Sequence, residues 1–163
     1  MISIAPATET DVPLILGFIR KLAEYEKLSH LVVATEADIH EHVFGPNAVA
    51  EVLISYWDGD PVGFALFFRN FSTFLGQPGI YLEDLFVDPE HRGKGIGKAL
   101  LIRLAQIALD RGYGRLDWAV LDWNAPSIEF YRRLGAIALD SWTGYRLTGD
   151  ALIQLSASGV RSR

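Results

Sequence analysis

The stretch from Glu83 to Gly97 constrains the fold more than any other part of the chain. An apolar strand ends at Asp88-Pro89, alternating glycines turn the backbone, and Lys98-Ala99-Leu100-Leu101 begins an amphipathic helix. Such a step gathers backbone N–H groups where the helix starts. Donors left unpaired in the first turn, together with the positive end of the helix dipole, favour an anion there, and glycine lets the backbone approach it closely. Arg92, Lys94 and Lys98 add positive charge to the same place. Spacing excludes two common nucleotide motifs. Measured back from Gly97-Lys98, a P-loop would need glycine at Arg92 and a hydroxyl at Ala99. The dinucleotide pattern Gly-x-Gly-x-x-Gly puts its third glycine on Lys98 or Leu100.

At 163 residues, half of them apolar, the chain suffices for one domain with a substantial core. A net charge of −5 argues against nucleic acid as the main partner and suits a cationic substrate. There is no cysteine, which excludes disulfides, thiolate metal sites and a cysteine acyl-enzyme. Met1-Ile2-Ser3-Ile4 lacks the form of a secretory signal, and no apolar stretch approaches the ~20 residues of a membrane span. A cytoplasmic protein with no membrane partner is the expectation. His40-Glu41-His42 does not complete His-Glu-x-x-His, because the last position is Phe44, so no metal is expected.

Ile2 to Ala5 reads as a strand, followed by a helix capped at Thr10 whose stripe of Val12, Ile15, Leu16, Ile19, Leu22 and Ala23 runs to Glu26 or Lys27. Thr35 to Val43 reads as a shorter helix. Val49 to Trp57 and Val62 to Arg69 form a hairpin about Asp58-Gly59-Asp60, and Phe71 to Gly79 is a loop. Ile80 to Val87 is a strand carrying Glu83 and Asp84. Adjacent carboxylates on a regular strand point to opposite faces, so a buried strand hides at most one cheaply, and a bulge or functional cleft is expected. Arg115 to Leu121 reads as a fifth strand, Ser127 to Leu134 as a helix, and Ala136 to Trp142 with Tyr145 to Leu155 as a closing hairpin. Residues 156–163 read as a tail to a single domain over 1–155. The element order predicts an α/β sandwich around a mixed sheet.

Arg92, Gly95 and Gly97, as Arg-x-x-Gly-x-Gly, resemble the pyrophosphate-binding turn of the GCN5-related N-acetyltransferase (GNAT) superfamily. The element order is similar to the GNAT fold over nearly the whole chain. Three further segments, Leu22 to Leu28, Tyr81 to Asp84, and Asp122-Trp123-Asn124 with Tyr131, look like the spermidine/spermine (diamine) acetyltransferase-like subfamily. Ala119 to Asn124 and Glu26 to Ser29 look closest to its thialysine-acetylating branch. The resemblance implies a mixed, mostly antiparallel sheet of about six to seven strands flanked by about four helices. It also implies acetyl-CoA as cosubstrate, with pantetheine along Leu85, Phe86 and Val87. The pyrophosphate would lie on Arg92, Gly93, Lys94, Gly95, Ile96, Gly97 and Lys98, with Asn124 and Ser127 flanking the cofactor. A homodimer is likewise implied.

Acetyl transfer to an amine needs a neutral amine, a polarised thioester carbonyl and a proton for the leaving thiolate. An alkylamine of pKa ~10.4 is freed at pH 7 at a cost of roughly 4–5 kcal/mol. Glu83 is the candidate base, directly or through a water, its bland alternative being an anchor for a cation or backbone. A backbone N–H of a bulged Leu85 to Val87 segment is the candidate oxyanion donor. Tyr131, near the proposed sulfur position, is the candidate acid, against a core tyrosine with its hydroxyl at the surface. Tyr25 and Glu26 resemble positions that meet the amine chain, against a solvated helix end. One departure is Thr143, where polyamine enzymes carry a substrate-binding carboxylate, which favours a shorter amine or amino acid. The competing functions are acetylation of a protein lysine or N-terminus, and non-catalytic acyl-CoA binding.

Overall fold

The computed structural model describes residues 1–159, which fall into two compact units, Met1–Ala119 and the described residues from Val120 onward. The first unit is built on a five-stranded sheet in the order of the sequence: β1 (Ile2–Pro6), β2 (Glu51–Trp57), β3 (Asp60–Ser72), β4 (Gln77–Val87) and β5 (Leu116–Trp118). The first four strands are antiparallel neighbours, and β5 runs parallel to β4. Asp58 and Gly59, both at positive φ, make the expected tight turn between β2 and β3.

Two helices sandwich this sheet. On α1 (Val12–Tyr25) the periodic apolar residues Val12, Ile15 and Phe18 pack against Val52, Ile54, Phe64 and Phe86 of one sheet face. The Phe18 ring lies 5.6 Å from that of Phe64 and 5.9 Å from that of Phe86. A short α2 (Glu36–Ile39) adds Ile39 to this core. Strand alternation puts Leu53, Ala65, Phe67, Ile80 and Leu82 on the opposite face, where they are buried. That face belongs to α3 (Ile96–Asp110), which contributes Ile96, Leu100, Leu101 and Leu104 and runs against all five strands.

Local chemistry moved several boundaries from those read in the sequence. Thr8 rather than Thr10 opens the first helical segment, because the Thr8 amide donates to Asp11 Oδ2 at 2.8 Å. Thr35 caps α2 as expected, reciprocally with Asp38, but the helix widens into a π-type turn over His40–Phe44 before Gly45. The aromatic loop after Arg69 is largely strand, with only residues 73–76 left as the turn between β3 and β4.

The second unit holds α4 (Ala125–Arg133) and α5 (Gly149–Ala157). The predicted closing hairpin is absent among the described residues. Residues 136–148 form no strand, and Gly149–Ala157 is helical. A short apolar run is ambiguous between strand and helix. Here Asp150 in the first turn, followed by Ala151, Leu152, Gln154 and Leu155, supplies a favourable helix start and strong helix formers. The described chain therefore has five strands and five α-helices, against six to seven strands and four helices. The helix also continues past residue 155, where a tail was expected, and residues 160–163 lie outside the described residues.

Candidate functional site

The site starts from an irregularity in β4. Asp84 lies opposite Leu66 of β3 and Leu82 lies opposite the next residue, Phe67, so Glu83 is one residue too many. This is the expected bulge, centred on Glu83; Leu85, Phe86 and Val87 stay in regular register with Ala65, Phe64 and Gly63. The expectation of a bulge within Leu85 to Val87 is thereby corrected. Without the extra residue, alternation from Asp84 would turn Leu82 to the α1 face. With it, Leu82 and Ile80 stay buried under α3, while Asp84 and Tyr81 both belong to the α1 face. Glu83 itself is exposed.

Three carboxyl groups meet here electrostatically. Burial first, then the negative charges of Glu83 and Glu26, together push the Asp84 carboxyl up to about 6. Glu26, the residue after the last turn of α1, is raised by burial as well. Tyr81 is raised by burial first, then by Glu83 and by Asp117 of β5. Glu83 thus acts on groups to both sides of it. A raised carboxyl pKa means the site resists gaining further negative charge and favours an arriving cation.

Beyond the bulge the strand edge is open. Strand β5 pairs with β4 only at Ile80, Tyr81 and Leu82. Among the described residues of this unit, no strand pairs with that edge of β4 from Glu83 to Val87, so an extended ligand can hydrogen-bond to the backbone there.

The turn after β4 is braced from several elements. Lys21 of α1 pairs with Asp88 at 2.8 Å, and Lys94 lies 5.0 Å from the Trp57 ring centre. Arg92 Nε donates to the Val87 carbonyl at 3.0 Å, and the guanidinium lies 4.4 Å from the centre of the Tyr25 ring. Gly93 and Gly95 have φ of +76° and +86°, and a Cβ added at either would meet no heavy atom within 4 Å. Space is therefore open over the turn. Gly95 caps α3, and Ala99 N, bonded to Gly95 O, is the first intrahelical donor. The amides of Ile96, Gly97 and Lys98 precede it, as an anion cradle requires. Lys98 is exposed in the same turn.

In the second unit, buried Asn124 caps α4, its Oδ1 accepting from Ser127 N at 3.4 Å, with Pro126 in the first turn. Helix α4 begins two residues earlier than Ser127, because this cap acts before the proline. Tyr131 lies in its last turn and is half-buried. Thr143 is exposed.

Sequence reasoning noticed Asp84 but assigned it no role, since the direction of its side chain depends on the bulge. Tyr81, Trp57 and Lys21 were missed: their spacing along the chain carries no local signal, and only the pairing of the strands and the packing of α1 bring them to the site. A separate cleft of about 380 Å³, lined by Phe44, Glu51, Arg103, Ile107 and Arg111 among others, shares no residue with this site. Among the described residues no group of three or more His, Asp or Glu could hold a metal, and no helix is long and apolar enough to cross a membrane.

Comparison with known proteins bears on the family and the fold. The chain is 40% identical to a thialysine N-epsilon-acetyltransferase of Sus scrofa, covering 94% of this chain and 96% of that one. It is 33% identical to an L-ornithine N5-acetyltransferase of Arabidopsis thaliana, covering 90% and 84%. An integron cassette protein from the mobile metagenome of V. cholerae has the same fold, with a TM-score of 0.80, 28% identity, and coverage of 96% and 98%. The model of the acetyltransferase (GNAT) family matches residues 19–136, from within α1 through the glycine turn and past α4, and the chain belongs to that family.

Proposed function

We propose that this chain transfers the acetyl group of acetyl-CoA to a primary amine of a small molecule, a diamine or a lysine-like amino acid. The observation that carries this reading is the bulge at Glu83. It places an acidic site at one end of a short strand segment whose other end leads into the glycine turn.

The donor half fits the residues present. The open edge of Leu85, Phe86 and Val87 would hold the pantetheine, and the turn from Arg92 to Lys98 the pyrophosphate. Open space over Gly93 and Gly95 supports this fit. By the resemblance, Asn124 and Ser127 flank the same ligand. Acetyl-CoA supplies an activated acetyl thioester, so no acyl-enzyme is required of a chain without cysteine.

For the acceptor, Glu83 takes the amine proton, directly or through a water, and Asp84 and Glu26 attract the ammonium form. Being exposed, Glu83 can deliver that proton to solvent. A backbone N–H of the Leu85–Val87 edge polarises the carbonyl, and the Tyr131 hydroxyl provides the proton for the departing thiolate. Tyr25 offers an aromatic wall to methylenes. Relatives named for thialysine and ornithine, together with Thr143 in place of a carboxylate, support a short amine or an amino acid over a long polyamine. A cytoplasmic homodimer completes the proposal, and light scattering checks the dimer. Mass spectrometry of amines incubated with enzyme and acetyl-CoA tests the reaction: an N-acetylated small amine supports it, and unmodified amines beside an acetylated protein contradict it.

A further inference from the structure

Arg92 belongs to the glycine turn by sequence, yet its side chain reaches the far end of α1. Its Nε is fixed on the Val87 carbonyl, and the guanidinium covers the ring of Tyr25 at 4.4 Å while lying 5.8 Å from that of Phe86. Tyr25 is the last residue of α1 and directly precedes Glu26. A guanidinium has five N–H donors in its plane and a stacking face perpendicular to them. One donor is used by Val87, and the face is used by Tyr25, so an anion can bind along the remaining edge without displacing the ring.

We propose that Arg92 is a positioning residue for the acceptor amine as well as a ligand of the donor: it holds the Tyr25 ring, and with it the end of α1 at Glu26, in the orientation that receives the amine. This rests on the reading that Tyr25 and Glu26 meet the acceptor. A role confined to the pyrophosphate would alter acetyl-CoA affinity alone.

The test is a double-mutant cycle on amine affinity, measured by calorimetry on the full chain saturated with coenzyme A, using whichever small amine the wild type acetylates best. Arg92→Lys and Arg92→Gln should each weaken amine binding about threefold to tenfold, the range of a partly desolvated cation–π contact. In a Tyr25→Leu background the same changes should have almost no further effect, whereas in a Tyr25→Phe background, which keeps the ring, their effect should return. Additive effects in the Tyr25→Leu background, or amine affinity unchanged by either Arg92 variant, overturn the inference while leaving the acetyltransferase reading intact. Failure of the wild type to acetylate any small amine overturns both.

Discussion

The Glu83 carboxylate bears on the carboxyl of its neighbour Asp84, which burial and the charges of Glu83 and Glu26 together lift from 3.8 to about 6. Because the folded-state value lies above the unfolded one, the neutral form of Asp84 is favoured by folding. That contribution is complete below about pH 4 and is lost as pH rises through 6, where ionising the largely buried group costs on the order of 3 kcal/mol. Asp84→Asn removes this dependence. Its melting temperature relative to wild type should rise by about 5–10 °C between pH 4 and pH 7.5, measured by calorimetry without ligands. A difference constant with pH would show that Asp84 ionises freely in the folded protein.

Tyr131 tests the acid. Replacing it by phenylalanine keeps the ring and removes the proton. Turnover should fall about 10²-fold or more, while acetyl-CoA affinity by calorimetry changes by no more than about twofold. Near-normal turnover would return Tyr131 to a packing role.

Gly95 tests the cradle. Alanine there meets open space but must adopt φ of +86°, which costs about 1 kcal/mol or more at the start of α3. Gly95→Ala should lower stability by about that amount and weaken coenzyme A binding more than amine binding. Gly63 bears on the same strand from behind, because a Cβ there would lie 2.4 Å from the Phe86 carbonyl oxygen. Gly63→Ala should displace the Leu85–Val87 edge, losing both stability and coenzyme A affinity; a variant that binds coenzyme A normally would remove that edge from the donor site.

What could be read in the sequence divides along physical lines. The periodic stripe of α1, the Asp58-Gly59 turn and the glycine turn are local signals, each set by residues a few positions apart, and each is found where expected. Glu83 and Asp84 announced a bulge because two adjacent charges conflict with a buried strand. Which residue is the extra one depends on the pairing with Leu66 and Phe67 of another strand, so the sequence alone gives Asp84 no role. For the same reason Arg92 was assigned to phosphate alone, its contact with Tyr25 depending on how α1 lies against β4. The apolar run near Ile153 is short enough to fit either helix or strand, and there the strand reading gave way to helix α5.

Glu83→Gln removes the base and keeps the shape. Turnover at pH 7 should fall about 10²-fold. The loss should shrink as pH rises toward the pKa of the amine, where the free base no longer has to be generated on the enzyme. A loss independent of pH would leave Glu83 as an anchor rather than a base.

The most direct measurement is the initial rate of coenzyme A thiol release over one panel at fixed acetyl-CoA: thialysine, lysine, ornithine, a short diamine, spermine and a lysine-containing peptide. A lysine-like amino acid or short diamine should show the highest kcat/KM, about 100-fold or more above the peptide. Preference for the peptide, or no release above background with any amine, would contradict the assignment of this chain as a small-molecule amine acetyltransferase.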